Sequence, residues 1–496
     1  MNVQELEFGQ WLPDQADYKN PGLVGATNVY PSSGGYAPFE TSVLSGNSVS
    51  STVLGAKLFF QNDGSTIVCG GTSTTLFVLD SGITQTNPPY TATSQWQFER
   101  FNDLIIAVSK ENVTQHLSDL DTDTSFSVLP GSPPKASVVG RVNDFLVLGD
   151  LEDIASLGSP DVPHRVRWSA FNNPTANWVT DRGELSGYQD LDAKYGRVTG
   201  IVGGRWGLVF QERAIWRMTF VGAPKVFDFT LVADDRGCVA TGSIINIGYE
   251  TFFLDASGFY VTNGSEVVPV GDQVLNEWFE GEADAGRIRT VHGTVNWPKR
   301  CIVWAYKPNG SDNFLRQLVY SFVTREFAEA DVQVDYLVSA NQDALTLSDL
   351  AALFPGGLGT MSAYEIGTLE WQAKNRLFAA FIDNAGVSEY AIFNGAAREA
   401  TFTTGDYSVQ PGRRSMVDGL RPMVELSSGS LTTQVLSRAS QGAAQSVSTA
   451  TAPGADGYAP SHVDNWFHAF RVTIAAGSIW DKAKGLWVRA KGTGRR

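Results

Sequence analysis

Short apolar runs that end in turns return along this chain at a nearly regular interval. They include AKLFFQNDG (56–64), FNDLIIAVSKEN (101–112), RVNDFLVLGD (141–150), GRWGLVFQERAIWRM (204–218) and ETFFLDASGFYVTNG (250–264). RCIVWAY (300–306) is followed by LVYSFVTREF (318–327), and NRLFAAFIDNAG (375–386) by YAIFNG (390–395). The runs are rich in Val, Ile, Phe, Tyr and Trp and are bounded by Asn-Asp, Asp-Gly, Asn-Gly or Ser-Gly, which is how strands joined by tight hairpins are written. With the centre of each first strand at 59, 106, 147, 209, 253, 303 and 379, successive intervals are 47, 41, 62, 44, 50 and 76 residues. Units of this length, each holding short antiparallel strands, specify a mainly β protein built as a β-propeller of six or seven blades, with insertions in the two long intervals. The clearest hairpin is TFFLDASGFYVTNG, where Gly258 and Gly264 supply positive φ. Helix is expected only at 271–288 and at 347–355, the second ending before Pro355.

Three regions are expected. Residues 1–40 read as an extended N-terminal arm or platform segment, pre-set by Pro13, Pro21, Pro31 and Pro38. Its Trp11, Leu12, Val29, Tyr30, Tyr36 and Phe39 are too costly to expose together. They are expected either to staple the propeller to the C-terminal region or to a neighbouring subunit, or simply to cover their own propeller. Residues 41–400 form the propeller with short insertions. Residues 401–496 change texture, with alternating strands such as FRVTI and LWVRA among Gly, Ser, Ala and Thr, and read as a small sandwich-like β-domain.

The charge is unevenly placed. The chain carries a net −15, but residues 401–496 hold 11 Lys+Arg against 6 Asp+Glu, a net of +5, which leaves −20 on the first 400. Such a balance excludes tight gripping of nucleic acid through phosphates by the larger part. Cys69, Cys238 and Cys301 lie far apart with no C-x-x-C spacing and read as buried free thiols. The opening MNVQELEFGQ lacks the basic start and apolar run of a secretory signal, and no stretch of about 18 apolar residues occurs. A soluble product made in a reducing cytoplasm is expected.

Chemistry is hard to find. Asp119, Asp121 and Asp123 alternate like the start of a calcium loop, but Thr124 and Pro130 stand where Gly and Glu are needed, so a polar hairpin tip is expected. His116, His164, His292, His462 and His468 form no metal-binding pair and read as ordinary surface or interface histidines. The acidic GDLEDIASLGSPD reads as a solvated loop rather than a glycosidase carboxylate pair. LDASGFYVTNG half matches a sialidase Asp-box and lacks its tryptophan, and GIVGGRWG is followed by no phosphate-cradling helix. Arg165, Arg167, Arg197, Arg205, Arg213 and Arg217 interleave with Trp168, Trp178, Trp206 and Trp216. That pattern can bind nucleic acid, but outward Arg beside inward Trp is also ordinary strand alternation, the preferred reading. No catalytic, cofactor or metal residue is assigned, and the protein is expected not to be an enzyme.

Several segments, in order, resemble one family. NPGLVGATNVYPSSGGYAPFE, RVRWSAFNNPTANW, GLVFQERAIWRMTFVGAP and TFFLDASGFYVTNGSEVVPVG, then RRSMVDGLRP and IAAGSIWDKAKGLWVRAKGTG, are similar to tail-hub or tail-nozzle proteins of short-tailed bacteriophages, the packaged-DNA stabilisation family. Their order carries the resemblance, since each alone is a turn-and-aromatic pattern. It implies a virion protein, made in the bacterial host cytoplasm, that forms a homo-oligomeric ring, a hexamer, at the phage tail. The ring docks on a tail adaptor or portal-proximal ring and carries fibres, spikes or a needle. Its lumen retains packaged double-stranded DNA and conducts it at ejection, without sequence-specific contacts, cofactor or membrane span. Within that reading the acidic surfaces of 41–400 border the DNA path. The basic groups Arg413, Arg414, Lys482, Lys484, Arg489, Lys491, Arg495 and Arg496 then face protein, on the adaptor or a neighbouring subunit. The alternative is a carbohydrate-binding or carbohydrate-cleaving propeller such as a tail-associated receptor-binding protein.

Overall fold

In the computed structural model, which describes residues 2–80, 82–86, 90–152, 154, 158, 160–204, 206–342, 375–409 and 412–494, four-stranded antiparallel meanders follow one another along the chain. Among the described residues there are seven: unit 1 (55–86), unit 2 (97–128), unit 3 (135–190), unit 4 (198–233), unit 5 (245–269), unit 6 (292–330) and unit 7 (336–342 with 375–397). Unit 7 supplies only three consecutive strands, and its fourth is Glu40–Val49 from near the N-terminus. First strands of neighbouring units pack side by side, and that of unit 7 meets that of unit 1. A parallel bridge between Val142 and Gly204 marks the shared strand direction. The result is a β-propeller closed by a strand from the other end of the chain.

The seven sequence centres fall on these units, yet only position 59 lies on a first strand. Positions 106, 147, 209, 253, 303 and 379 lie on second strands. Second strands are covered on both edges and both faces, so they are the most apolar: Cys301–Tyr306 is buried at all six positions. First strands line the axis and carry Lys57, Gln97, Glu99, Arg141, Thr294 and Ser339 among their apolar residues.

Residues 1–40 differ from the expected extended arm. They contain the strands Asn2–Glu7, Leu23–Thr27, Val29–Ser32 and Gly35–Pro38. Asn2–Glu7 pairs with Ile479–Gly494, with Asn2 opposite Ala490. Leu23–Thr27 pairs antiparallel with Ala400–Thr404 and meets unit 6 through a parallel Thr27–Glu329 pair. Propeller unit 6 and half of the C-terminal region therefore share one nine-stranded sheet, and a second sheet of six strands covers it. Trp11, Tyr30, Tyr36 and Phe39 are each at most 2% exposed. They join one core with Trp304 of unit 6 and Val472 and Leu486 of the C-terminal sheets. Burial of each such side chain contributes roughly 1.5–3 kcal/mol, so the segment binds both parts of its own chain.

Helix is shorter than expected at 271–288: Asn276–Glu282 is α-helical and Ala285–Thr290 is 3-10. The α-helix opens on Leu275, which has no capping side chain, and the Asp14 carboxylate takes that role, accepting from the amides of Glu277 (3.1 Å) and Trp278 (2.7 Å). The expected helix at 347–355 lies outside the described residues.

Candidate functional site: the axial channel and the outer C-terminal sheet

The first strands of all seven units enclose a channel of about 650 Å³. Small residues let them approach: a Cβ on Gly203 would lie 1.6 Å from the Arg141 carbonyl oxygen. The charged groups in the channel are paired with one another or with their neighbours. Lys57 Nζ lies 2.8 Å from Glu99 Oε2 and donates to the Phe98 carbonyl at 3.1 Å, joining units 1 and 2. Arg141 pairs with Asp144 at 3.2 Å and lies over the Phe101 ring. Thr294 and Ser339 share a 2.9 Å hydroxyl hydrogen bond between units 6 and 7. Sequence reasoning missed this set, since its members are single polar residues inside apolar strands.

The expected interface residues are brought together in part. Lys482, Lys484, Arg489 and Lys491 lie on Ile479–Gly494, whose alternate residues Leu486, Val488 and Ala490 enter the core. Arg414 lies on the paired strand Arg414–Ser428, and Arg413 precedes it. Arg495 and Arg496 lie outside the described residues. Most of these cations already have partners within the chain. Lys484 pairs with Glu425 (2.5 Å), Arg489 with Asp418 (3.1 Å) and Arg414 with Asp464 (3.2 Å). Lys482 donates to the Ser33 carbonyl at 2.6 Å. Arg413 and Lys491 are exposed and enter no hydrogen bond or ion pair among the described residues. At the centre of the face, Arg421 lies over Trp487 (5.2 Å) and Tyr458 (5.9 Å), and Arg489 over Tyr458 (4.6 Å). The surface is a lattice of alternating charge and aromatic rings rather than a field of free cations.

Other candidates take structural roles. Asp121 accepts from the Asn62 backbone (2.9 Å) and side chain (2.8 Å), tying the loop after 117 to unit 1. Asp119 accepts from the Asp121 amide at 2.9 Å, which holds its carboxyl below the usual range. Among the described residues no group of three or more His, Cys, Asp or Glu is placed to hold a metal. The acidic stretch 149–161 contributes ion pairs: Glu152 with Lys110 at 2.9 Å, and buried Asp150, which accepts from Ser137 at 2.6 Å, with Arg197 at 3.6 Å.

The histidine expectation needs correction. His292 and His468 are fully enclosed and His116 nearly so, because each ring packs within or between sheets. The arginine expectation also changes. Arg165 and Arg167 do not point outward: both are buried, since their strand is covered by Gly187–Asp190. Arg165 grips Asp190 with two hydrogen bonds (2.5 and 2.9 Å) and lies 4.0 Å from the Tyr188 ring centre, and Arg167 donates to the Trp178 carbonyl. Arg205 lies outside the described residues. Cys69, Cys238 and Cys301 are free and buried, and burial pushes each thiol well above its usual range.

No protein-family model matches the chain, and no curated protein matches it. Among solved structures it is similar to the WD40 domain of Pan2 from Neurospora crassa, at 6% identity and TM-score 0.37 over 69% of this chain and 95% of that one. RRP9 WD40 repeats match at 8% identity and TM-score 0.39, over 72% of this chain and 98% of theirs. Virginiamycin B lyase from Staphylococcus aureus matches at 11% identity and TM-score 0.35, over 60% and 92%. Likenesses this remote carry no functional argument; the fold stands on the strand order above.

Proposed function

We propose that this protein is a structural ring subunit of a short-tailed phage tail, a hub or nozzle that retains packaged DNA and conducts it at ejection. The observation that carries the reading is the ordered run of segments from the N-terminal strands to the C-terminal sheet that resembles that family. The weave is in keeping with a load-carrying part. Residues near the N-terminus close the last propeller unit, pair with the final strand and complete a sheet shared by both regions. In this reading the ring is a hexamer docked on an adaptor, and it carries fibres, spikes or a needle.

The duplex would not run along the propeller axis. A first strand of about five residues spans roughly 17 Å, so a 650 Å³ channel is a bore about 7 Å across. The two grooves of B-DNA alone are about 8.5 and 7.5 Å deep, so the duplex is more than twice that width. The conduit would be the lumen enclosed by the subunits. The net −20 of the first 400 residues suits such a wall, since an acidic surface lets a polyanion slide without sticking. Particle averaging of the purified chain tests the reading: a six-fold ring with an axial hole wide enough for a duplex is expected, and particles without such a ring would reject it.

A further inference from the structure

In units 1 to 6 the tips joining first to second strands lie at one end of the propeller, and each holds a residue at positive φ. Units 1 to 5 supply Gly64, Asn102, Asn143, Gly204 and Gly248 there, residues that adopt this conformation readily. Unit 6 instead places Arg300 there, at φ 53°. Its other tip at the same end holds Arg325 at φ 61°, in the connection where unit 5 has Gly264, unit 4 has Gly222 and Val226, and unit 3 has Asn172 and Leu185. Unit 6 thus presents two arginines in adjacent tips at this end.

The surroundings indicate what the arginines meet. Both are exposed, and neither guanidinium takes part in a hydrogen bond or ion pair among the described residues. Between them Val323 is 55% exposed, above the ring pair Trp297 and Phe322 with centroids 6.3 Å apart. Arginine, aromatic and aliphatic groups together are the composition of a protein-binding hot spot, and an apolar tip does not suit a phosphate backbone. The complementary surface lies at the same end of the same propeller. The tips of unit 2 carry Asp103, Asp119, Asp121 and Asp123, none of them ion-paired among the described residues. In a ring of seven units, the neighbourhood of units 2 and 3 lies opposite unit 6.

We infer that two copies of this chain associate face to face through this end of the propeller, Arg300 and Arg325 of each copy meeting the unit 2 carboxylates of the other. A two-fold axis between the faces makes the contact reciprocal, so each copy uses both patches once and the assembly closes. The inference does not rest on the ring reading above.

Sedimentation velocity of the full chain over a micromolar concentration series tests it. The parent is expected to self-associate, and R300G/R325G to do so about tenfold or more weakly. The melting temperature of that variant should equal or exceed the parent's, because glycine relieves the left-handed positions. R300D/R325D and D103R/D123R should each fail to pair alone and form a heterodimer on mixing, since both contacts then regain opposite charge. A parent that stays monomeric throughout, R300G/R325G associating as tightly as the parent, or no heterodimer on mixing would overturn the proposal.

Discussion

The imidazole of His292 lies flat on the phenol ring of Tyr336, with centroids 4.3 Å apart and planes 5° from parallel. Phe314 closes the ring edge-on at 4.6 Å. His292 Nδ1 donates to the Thr290 carbonyl at 3.3 Å, which leaves Nε2 a bare, buried acceptor. Burial, with nearby Lys307, pushes its pKa down to about 3. A base held below its unfolded value contributes its full stability above about pH 6.5 and loses it as pH falls toward 3, roughly 2 kcal/mol by pH 5. His468 is shifted in the same direction by its burial. His292→Phe keeps the stack and removes the proton site, so its melting temperature should fall less than the parent's between pH 6.5 and 4. Parallel curves would show that His292 does not set the acid limb.

Gly258 closes the hairpin opposite Asp255 at φ 124°, and a Cβ there would lie 2.2 Å from the Asn276 side chain. Gly258→Val therefore combines backbone strain of about 1–3 kcal/mol with a clash against the helix. The two terms separate in a double-mutant cycle. Asn276→Ala should restore part of the loss in urea unfolding, and the part it leaves is the backbone term. A single variant as stable as the parent would mean the turn is drawn incorrectly.

Arg438 joins the N-terminal segment to the C-terminal sheets. Its guanidinium binds Asp406, whose carboxylate is fully enclosed, and reaches Asp17 at 3.0 Å. Gln445 adds a 3.4 Å hydrogen bond to Asp406. Arg438→Met strands a buried carboxylate and should cost about 3–5 kcal/mol, whereas Asp17→Asn removes a half-exposed pair worth under about 1 kcal/mol. The order of the urea midpoints checks this; equal losses would put the energy elsewhere.

The sequence made the strands legible wherever both neighbours cover them. Phe253, Val303 and Ala379 sit in such second strands, so their runs are apolar and regularly spaced. Glu40–Val49 was not legible as the closing strand of unit 7, because an outer strand such as ETSVLSGNSV is largely solvated and carries little pattern. The burial of Trp11, Tyr30, Tyr36 and Phe39 followed from the cost of exposing them. Their strand partners did not follow, because register such as Asn2 against Ala490 joins the two ends of the chain and no local spacing records it. For the same reason the partners of the basic groups were not legible: Glu425 and Asp418 reach Lys484 and Arg489 from the neighbouring strand, and Asp464 reaches Arg414 from the strand on its other side.

That pairing decides how the orientation of the C-terminal sheet should be tested. Reversing Lys484 or Arg489 would break contacts within the chain and confuse folding with docking. Arg413 and Lys491 enter no such contact among the described residues, so R413E/K491E should melt like the parent. If this face meets an acidic surface on the adaptor or a neighbouring subunit, the reversal sets like charges across the joint, and particles made with the variant should carry less of it. If these cations instead touch DNA and brake it, the variant should assemble normally and the particles should leak genome. A swap control, K484E/E425K, keeps its internal pair and should assemble like the parent in both cases. Normal assembly of R413E/K491E with leakage would reject the protein-facing orientation and leave the conduit reading standing.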